Sequence, residues 1–242
     1  MCCERNALSL ARPSGTARSR ILCYHSVGTP EWGVNDVSPK RFERQLLQAL
    51  EAGYRFVPAD LIAGDGGASE RLAITFDDGL ASVAEHAAPI LRDLGIPWTL
   101  FVVSDWADGK HGWGEKTMLG WRAIERLAAD GAIIGSHSVS HPDFGRIGEE
   151  SAIRELVVSR STIRERIGIE PTSFAIPLGQ SHNWTATAQS AARAAGYERI
   201  YAQSEERRHP GTIARTFITR FDSDRVFSAA LAGAFDGWEE WV

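Results

Sequence analysis

Short apolar or β-branched runs recur at 21–26, 54–57, 72–76, 98–103, 132–136, 173–177, 199–202 and 216–221, and helical patterns fill most of the gaps between them. In 40–52 the apolar residues Phe42, Leu46, Leu47 and Leu50 fall at helical spacing, with Gly53 as a stop. Similar patterns cover 82–94 up to Gly95, 121–129 up to Gly131, 151–167 up to Gly168 and 183–195 up to Gly196. An aromatic-rich amphipathic helix is predicted over 224–241. Strand-like runs alternating with helices predict parallel strands joined by crossover helices. About seven or eight strands in this length suit a closed or nearly closed β/α barrel better than an open sheet. Loops are expected at 28–35, 64–70, 105–116 and 204–211, and no repeat or linker marks a domain boundary.

Composition narrows the class without naming a function. At 242 residues, 43% hydrophobic and 24% charged, the chain reads as a globular protein able to bury an ample core. The pattern divides it into a flexible N-terminal tail over 1–19 and one domain over 20–242. A net charge of −5 gives no reason to expect a nucleic-acid partner. No segment approaches the roughly 18–20 apolar residues that span a bilayer. The N-terminus lacks the apolar stretch of a secretory signal, so a cytoplasmic location is the expectation. Cys2, Cys3 and Cys23 are odd in number and two are adjacent, which argues against a disulfide framework; Cys2 and Cys3 lack the second ligand pair that a zinc site needs.

Chemistry concentrates behind two apolar runs. Leu72-Ala-Ile-Thr-Phe-Asp-Asp-Gly79 ends in adjacent carboxylates, and Ala132-Ile-Ile-Gly135 leads into Ser136-His-Ser-Val-Ser-His141. Alone, Asp-Asp-Gly is ordinary turn chemistry and a His-x-x-x-His pair is weak. Together they stand where α/β folds gather their active sites, at the ends of buried strands. Imidazoles four residues apart share one side of a helical turn, and one carboxylate can complete a facial metal site. The other carboxylate is then left to act as a base, which points to a hydrolase with a metal-activated water.

These motifs resemble the polysaccharide deacetylases (carbohydrate esterase family four, or NodB-homology domains). The resemblance rests on Thr75-Phe-Asp-Asp-Gly79, His137-Ser-Val-Ser-His141 with Pro142 behind it, and Phe174-Ala-Ile-Pro-Leu-Gly179. Weaker matches in the right order are Ile21-Leu-Cys-Tyr-His-Ser-Val27, Gly95-Ile-Pro-Trp-Thr-Leu-Phe-Val102 and Leu119-Gly-Trp-Arg122. The resemblance implies a distorted barrel with seven or so repeats. It also implies Asp78, His137 and His141 as ligands of one divalent ion, Zn²⁺ with Co²⁺ or Ni²⁺ as substitutes, and Asp77 as the base. Pro177, Leu178 and Gly179 would border the substrate, with the Leu178 N–H sharing the oxyanion.

Two departures from the family follow. Relatives often supply the proton-donating acid from a late Leu-x-His motif, which is missing here; only His182 and His209 occur that late. His25, behind the first predicted strand, resembles the early Tyr-His of a permuted variety and is assigned the acid role. Phe174 stands where many relatives carry an arginine paired to the base, so the partner of Asp77 must come from elsewhere; Arg220, ending the last strand-like run, is the candidate. His86 reads as helix packing. Trp32, His111 and Trp113 lie on loops where an aromatic face can meet a sugar.

The implied reaction is removal of an N-acyl group from an amino sugar in a poly-, oligo- or lipid-linked saccharide. The rivals are deformylation of a sugar, opening of a small cyclic amide, and a catalytically idle carbohydrate-binding barrel. An aspartate-dependent phosphatase needs Asp-x-Asp spacing, which adjacent aspartates do not meet.

Overall fold

The computed structural model describes residues 5–7, 9–10, 19–63, 70–114, 116–203 and 207–237. A parallel sheet runs through it in the order β10 (Thr216–Phe217), β1 (Arg20–Tyr24), β5 (Arg71–Phe76), β6 (Trp98–Val102), β7 (Ile133–Ser136), β8 (Ser173–Ala175) and β9 (Arg199–Tyr201). Strand β4 (Arg55–Phe56) pairs with the first two residues of β5, whereas β6 pairs with Ile74, Thr75 and Phe76. Ile213 bridges Tyr201 of β9, while Thr216 and Phe217 pair with Leu22 and Cys23 of β1. The segment 213–217 therefore joins both edges of the sheet and curls it into the distorted (β/α) barrel expected. A 3₁₀ turn at Pro30–Asn35 occupies the stretch read as a loop, and a separate pair, β2 (Ser26–Val27) with β3 (Asp36–Val37), flanks it.

Strand periodicity sorts side chains into two layers. Even-numbered residues such as Leu22, Tyr24, Leu72, Ile74, Phe76, Leu100, Val102 and Ile134 face the helices and form the main core. Odd-numbered residues face inward: Ile21, Ala73, Phe101, Ala175 and Tyr201 make a small buried cluster. The Phe101 and Tyr201 rings lie 5.4 Å apart. Gly135 shares this inner face, where an added Cβ would stand 2.5 Å from the Phe101 ring and 2.8 Å from Ser173 Oγ. A side chain at 135 would expel the ring that plugs the barrel.

The helices follow their sequence signals closely. Helix α1 (Pro39–Glu51) starts at a Ser38 cap that accepts from Arg41 N, with Pro39 in the first turn where its missing amide costs nothing. Two short helices, α2 (Ala59–Ala63) and α4 (Ser104–Ala107), were not legible as periodic patterns. The helix predicted from residue 82 begins as a π turn, Val83–Ala87, and becomes helical in α3 (Ala88–Asp93). Pro89 accounts for this, since it has no amide to pair with the Glu85 carbonyl one α-turn back. Helices α5 (Trp121–Ala129), α6 (Glu149–Ile167) and α7 (Ala186–Ala194) occupy the predicted stretches, and Gly168 closes α6 in a left-handed conformation with φ 70°.

Two boundaries need correction. Helix α8 is described over Asp224–Leu231, shorter than predicted, and Gly233 beyond it has φ 90°; residues 238–242 lie outside the described residues. The N-terminal stretch is not a free tail where it is described. Arg5 is buried and donates through Nε and Nη2 to Asp222 at 2.7 and 2.6 Å, with its guanidinium 4.5 Å from the Phe235 ring. Cys2 and Cys3 lie outside the described residues, and Cys23 is a buried free thiol. Among the described residues no helix is long and apolar enough to cross a membrane.

Candidate active site

The inner layer carries the chemistry upward from the plug. Asp77 follows β5 directly, and its N–H donates to Tyr24 O at 3.0 Å; His137 follows β7 and donates to Val102 O at 2.8 Å. Both side chains thus inherit the rigidity of the sheet. His137 Nδ1–H donates to Ala175 O at 2.8 Å, which leaves the Nε2 lone pair facing the aspartates. Nε2 of His137 and of His141 stand 3.5 and 3.6 Å from Asp78 Oδ1.

Asp78 Oδ1 is a buried oxygen with no hydrogen-bond partner among the described residues. Such an orphan is costly unless another group satisfies it. Donors bound at about 2.1 Å in a tetrahedral zinc site lie roughly 3.4 Å apart. Two imidazoles and one carboxylate at 3.5–3.6 Å therefore fit a divalent ion by spacing and by chemistry. Burial pushes the metal-free Asp78 carboxyl up to about 6 and His137 down to about 3. Burial likewise lowers His141.

Asp77 is in a different state although it is adjacent. Burial alone would raise its pKa, but the Arg215 guanidinium reverses the sign and holds it well below the usual carboxylate range. Arg215 is fully buried and bidentate, with Nη1–Oδ1 at 2.6 Å and Nη2–Oδ2 at 2.7 Å. Its Nε donates to Ala202 O at 3.1 Å and its plane lies 5.3 Å from the Phe101 ring, so the plug aims it. The Cys23 thiol, raised by its burial, adds a contact to Asp77 Oδ2 at 3.4 Å. Cys23, His25 and Asp77 also have ligand atoms within 4.8 Å of one another. A second cation there would face the Arg215 charge, so that cluster does not suit a metal.

Arg215 corrects the expectation for Arg220, which is exposed and donates to Gly33 O at 3.3 Å. Arg220 lies past the end of β10, beyond the reach of its inward alternation. Arg215 precedes that strand in phase with Phe217, whose ring stands 5.2 Å from the His25 ring. That parity is the signal that identifies it. Phe174, at the family's arginine position, is even-numbered and packs outside the barrel against Phe144, Trp184 and Tyr197.

His25 is buried, and its Nδ1 has no partner among the described residues. His182 is exposed on the turn Ser181–Asn183, and His209 Nδ1 sits 2.9 Å from Pro210 O. Pro177 and Gly179 are buried, and Leu178 between them is 38% exposed with φ 66°. The Leu178 N–H donates to no group among the described residues.

The helical turn expected at 137–141 is absent. Ser138 and His141 have φ 73° and 62°, which no helix allows. Asp78, Ser138, His141 and Leu178 are the non-glycine residues with positive φ among those described, and all four belong to this site. Each such residue costs about 1–3 kcal/mol and persists only where the surroundings impose it. Trp106 stacks on the His141 ring at 5.2 Å, and Trp113 continues the aromatic wall at 4.7 Å from Trp106 and 5.4 Å from Trp32. His111 lies against Trp113 at 5.8 Å. Trp32 and Thr29 line two adjoining clefts of about 670 and 380 Å³, with Glu85 and Lys116 in the larger and Trp113 in the smaller. His86 lies beside Gly28, where a Cβ would be 2.7 Å from the imidazole.

The sequence model of the family described as Polysaccharide deacetylase matches residues 65–200, more than half of the chain. The chain belongs to the polysaccharide deacetylase family. The matched span holds Asp77, Asp78, His137 and His141 but neither His25 nor Arg215. A putative polysaccharide deacetylase, YxkH of Bacillus subtilis, is 26% identical over 187 residues, 75% of this chain and 63% of that protein. The chitin deacetylase of Colletotrichum lindemuthianum is 28% identical over 107 residues, 44% of this chain and 41% of that one. The chain thus spans less than two thirds of these curated relatives. Among solved structures, the Streptococcus pyogenes deacetylase PplD in complex with acetate aligns with a TM-score of 0.75 at 19% identity, over 90% of this chain and 99% of that one. IcaB from Ammonifex degensii aligns at 0.73 and 24%, over 89% and 98%. At these identities the likeness is one of fold.

Proposed function

We propose that the protein is a metal-dependent amidohydrolase that removes an N-acyl group, foremost acetyl, from an amino sugar within a saccharide. The observation that carries this is the division between the two adjacent carboxylates. Asp77 is neutralised by Arg215, whereas Asp78 Oδ1 is unpartnered and faces two imidazole nitrogens. A phosphatase or an idle binding barrel has no use for that asymmetry. The similar proteins named as deacetylases support this reading.

Zn²⁺ held by Asp78, His137 and His141 would bring the pKa of a coordinated water to about 7 and polarise the acyl carbonyl. Asp77, ionised at any working pH because of Arg215, accepts the proton that the attacking water gives up. The Leu178 N–H, free to donate, stabilises charge developing on the acyl oxygen. His25 protonates the departing amine, which is a poor leaving group without that proton. Trp113, 43% exposed beside Trp32, offers a face to a sugar ring and favours a saccharide over a small cyclic amide.

The test is acetate release from N-acetylglucosamine oligomers, alongside N-formyl sugars, cyclic amides and phosphate esters, each with and without chelator. Chelator-sensitive acetate release is expected. Turnover of phosphate esters, or acetate release indifferent to chelation, would overturn the reading.

A further inference from the structure

Helix α6 buries Ala152, Glu155, Leu156, Ser159 and Ile163 along one stripe, so a carboxylate sits where apolar residues are the rule. Glu155 Oε2 accepts from Val139 N at 2.8 Å and Ser140 N at 2.9 Å, and Oε1 accepts from Ser140 Oγ at 2.8 Å. These three bonds fall on residues between the two histidines. From the other side Ser104 N and Asp105 N donate to Ser138 O and Val139 O at 3.1 and 2.9 Å. Ser138 Oγ accepts from His141 N at 2.9 Å. With no helix across 137–141, this cradle is what imposes the left-handed turns.

We propose that Glu155 sets the separation of His137 and His141 and is a positioning residue for the metal centre. This rests on the reading that Asp78, His137 and His141 hold the ion. His137 is pinned independently through Ala175 O and Val102 O, so His141 is the ligand that depends on the cradle. Without the carboxylate, two backbone N–H groups in partly buried bonds lose their acceptor and the strained turn loses its restraint. The claim concerns reach and acceptor geometry rather than negative charge, and variants separate the two. Glu155→Gln keeps an oxygen that can accept both backbone bonds and loses the charge. Glu155→Asp keeps the charge and loses the reach.

The experiment measures zinc dissociation constants on metal-stripped protein by competition with a chromogenic chelator, with circular dichroism and thermal unfolding of the apo forms as fold controls. Glu155→Ala and Glu155→Asp should bind zinc about 10–100-fold more weakly than the unsubstituted protein, the range typical of lost supporting contacts around metal ligands. Glu155→Gln should stay within about threefold. Glu155→Asp decides the matter if Glu155→Ala does not fold. Wild-type affinity in the aspartate variant, or a glutamine variant as weak as the aspartate one, would overturn the proposal. Failure of the unsubstituted protein to take up zinc would instead remove the metal reading itself, and this inference with it.

Discussion

Replacing Arg215 with methionine removes a charge while nearly conserving volume. It strands the Asp77 carboxylate, buried to 1% exposure, without its bidentate partner. Breaking a buried pair from one side costs about 3–5 kcal/mol, a large share of the roughly 5–15 kcal/mol that holds a domain together. Ala202 O and Thr75 Oγ1 also lose a donor at 3.1 and 3.3 Å. Urea unfolding at pH 7 should report a loss of about that size, with most of it recovered in the Asp77→Asn/Arg215→Met double variant, where no charge is stranded. The pH dependence follows from signs. In the native protein Asp77 is depressed below its unfolded value, so its contribution is full above the ordinary carboxylate range and is lost only as pH falls through the depressed value. Without Arg215, burial is opposed only by the nearby His137 and His25, so the same carboxyl moves up and the stranded charge costs the variant more stability as pH rises. The deficit should be widest at neutral pH and narrow toward pH 4. A loss under about 1 kcal/mol, or a deficit constant from pH 7 to 4.5, would show that Arg215 does not hold a buried Asp77 charge.

Two further substitutions probe the substrate side. His25→Ala should lower kcat on acetamido sugars by about 10²–10⁴ while sparing activated aryl acetates, whose phenolate leaves without a proton; an equal loss on both would make His25 structural, and the selective loss in His182→Ala would move the acid there. Trp113→Ala should raise KM for N-acetylglucosamine oligomers about fivefold, for the loss of roughly 1 kcal/mol of ring contact, with kcat nearly unchanged; an unaltered KM would remove Trp113 from the substrate surface.

The parallel strands were legible because strands buried on both faces read as unbroken apolar runs. The two-residue strands β2 and β3 and the four-residue α4 are too short to carry any periodicity. The candidates Asp77, Asp78, His137 and His141 stand out in the sequence because they follow such runs. The path of the chain between the histidines does not, since four-residue spacing fits a helical turn equally well. What decides it is Glu155, fourteen positions beyond His141, and the one legible trace was a charge on the buried stripe of α6. Arg215 was missed for a related reason. Partnership with Asp77 across 138 residues of sequence depends on strand register, which places 215 and 217 inward. The docking of Arg5 on Asp222, 217 residues away, left no local pattern at all.

Adjacent aspartates that do different work are separated by metal content measured beside acetate release. Asp77→Asn should retain about one equivalent of metal and lose turnover by about 10²–10⁴, because the amide keeps the shape but accepts no proton. Asp78→Asn should lose the metal, and activity with it. Retention of metal by both variants, or loss of metal on substitution of Asp77 but not Asp78, would mean that the two carboxylates do not divide the work in this way.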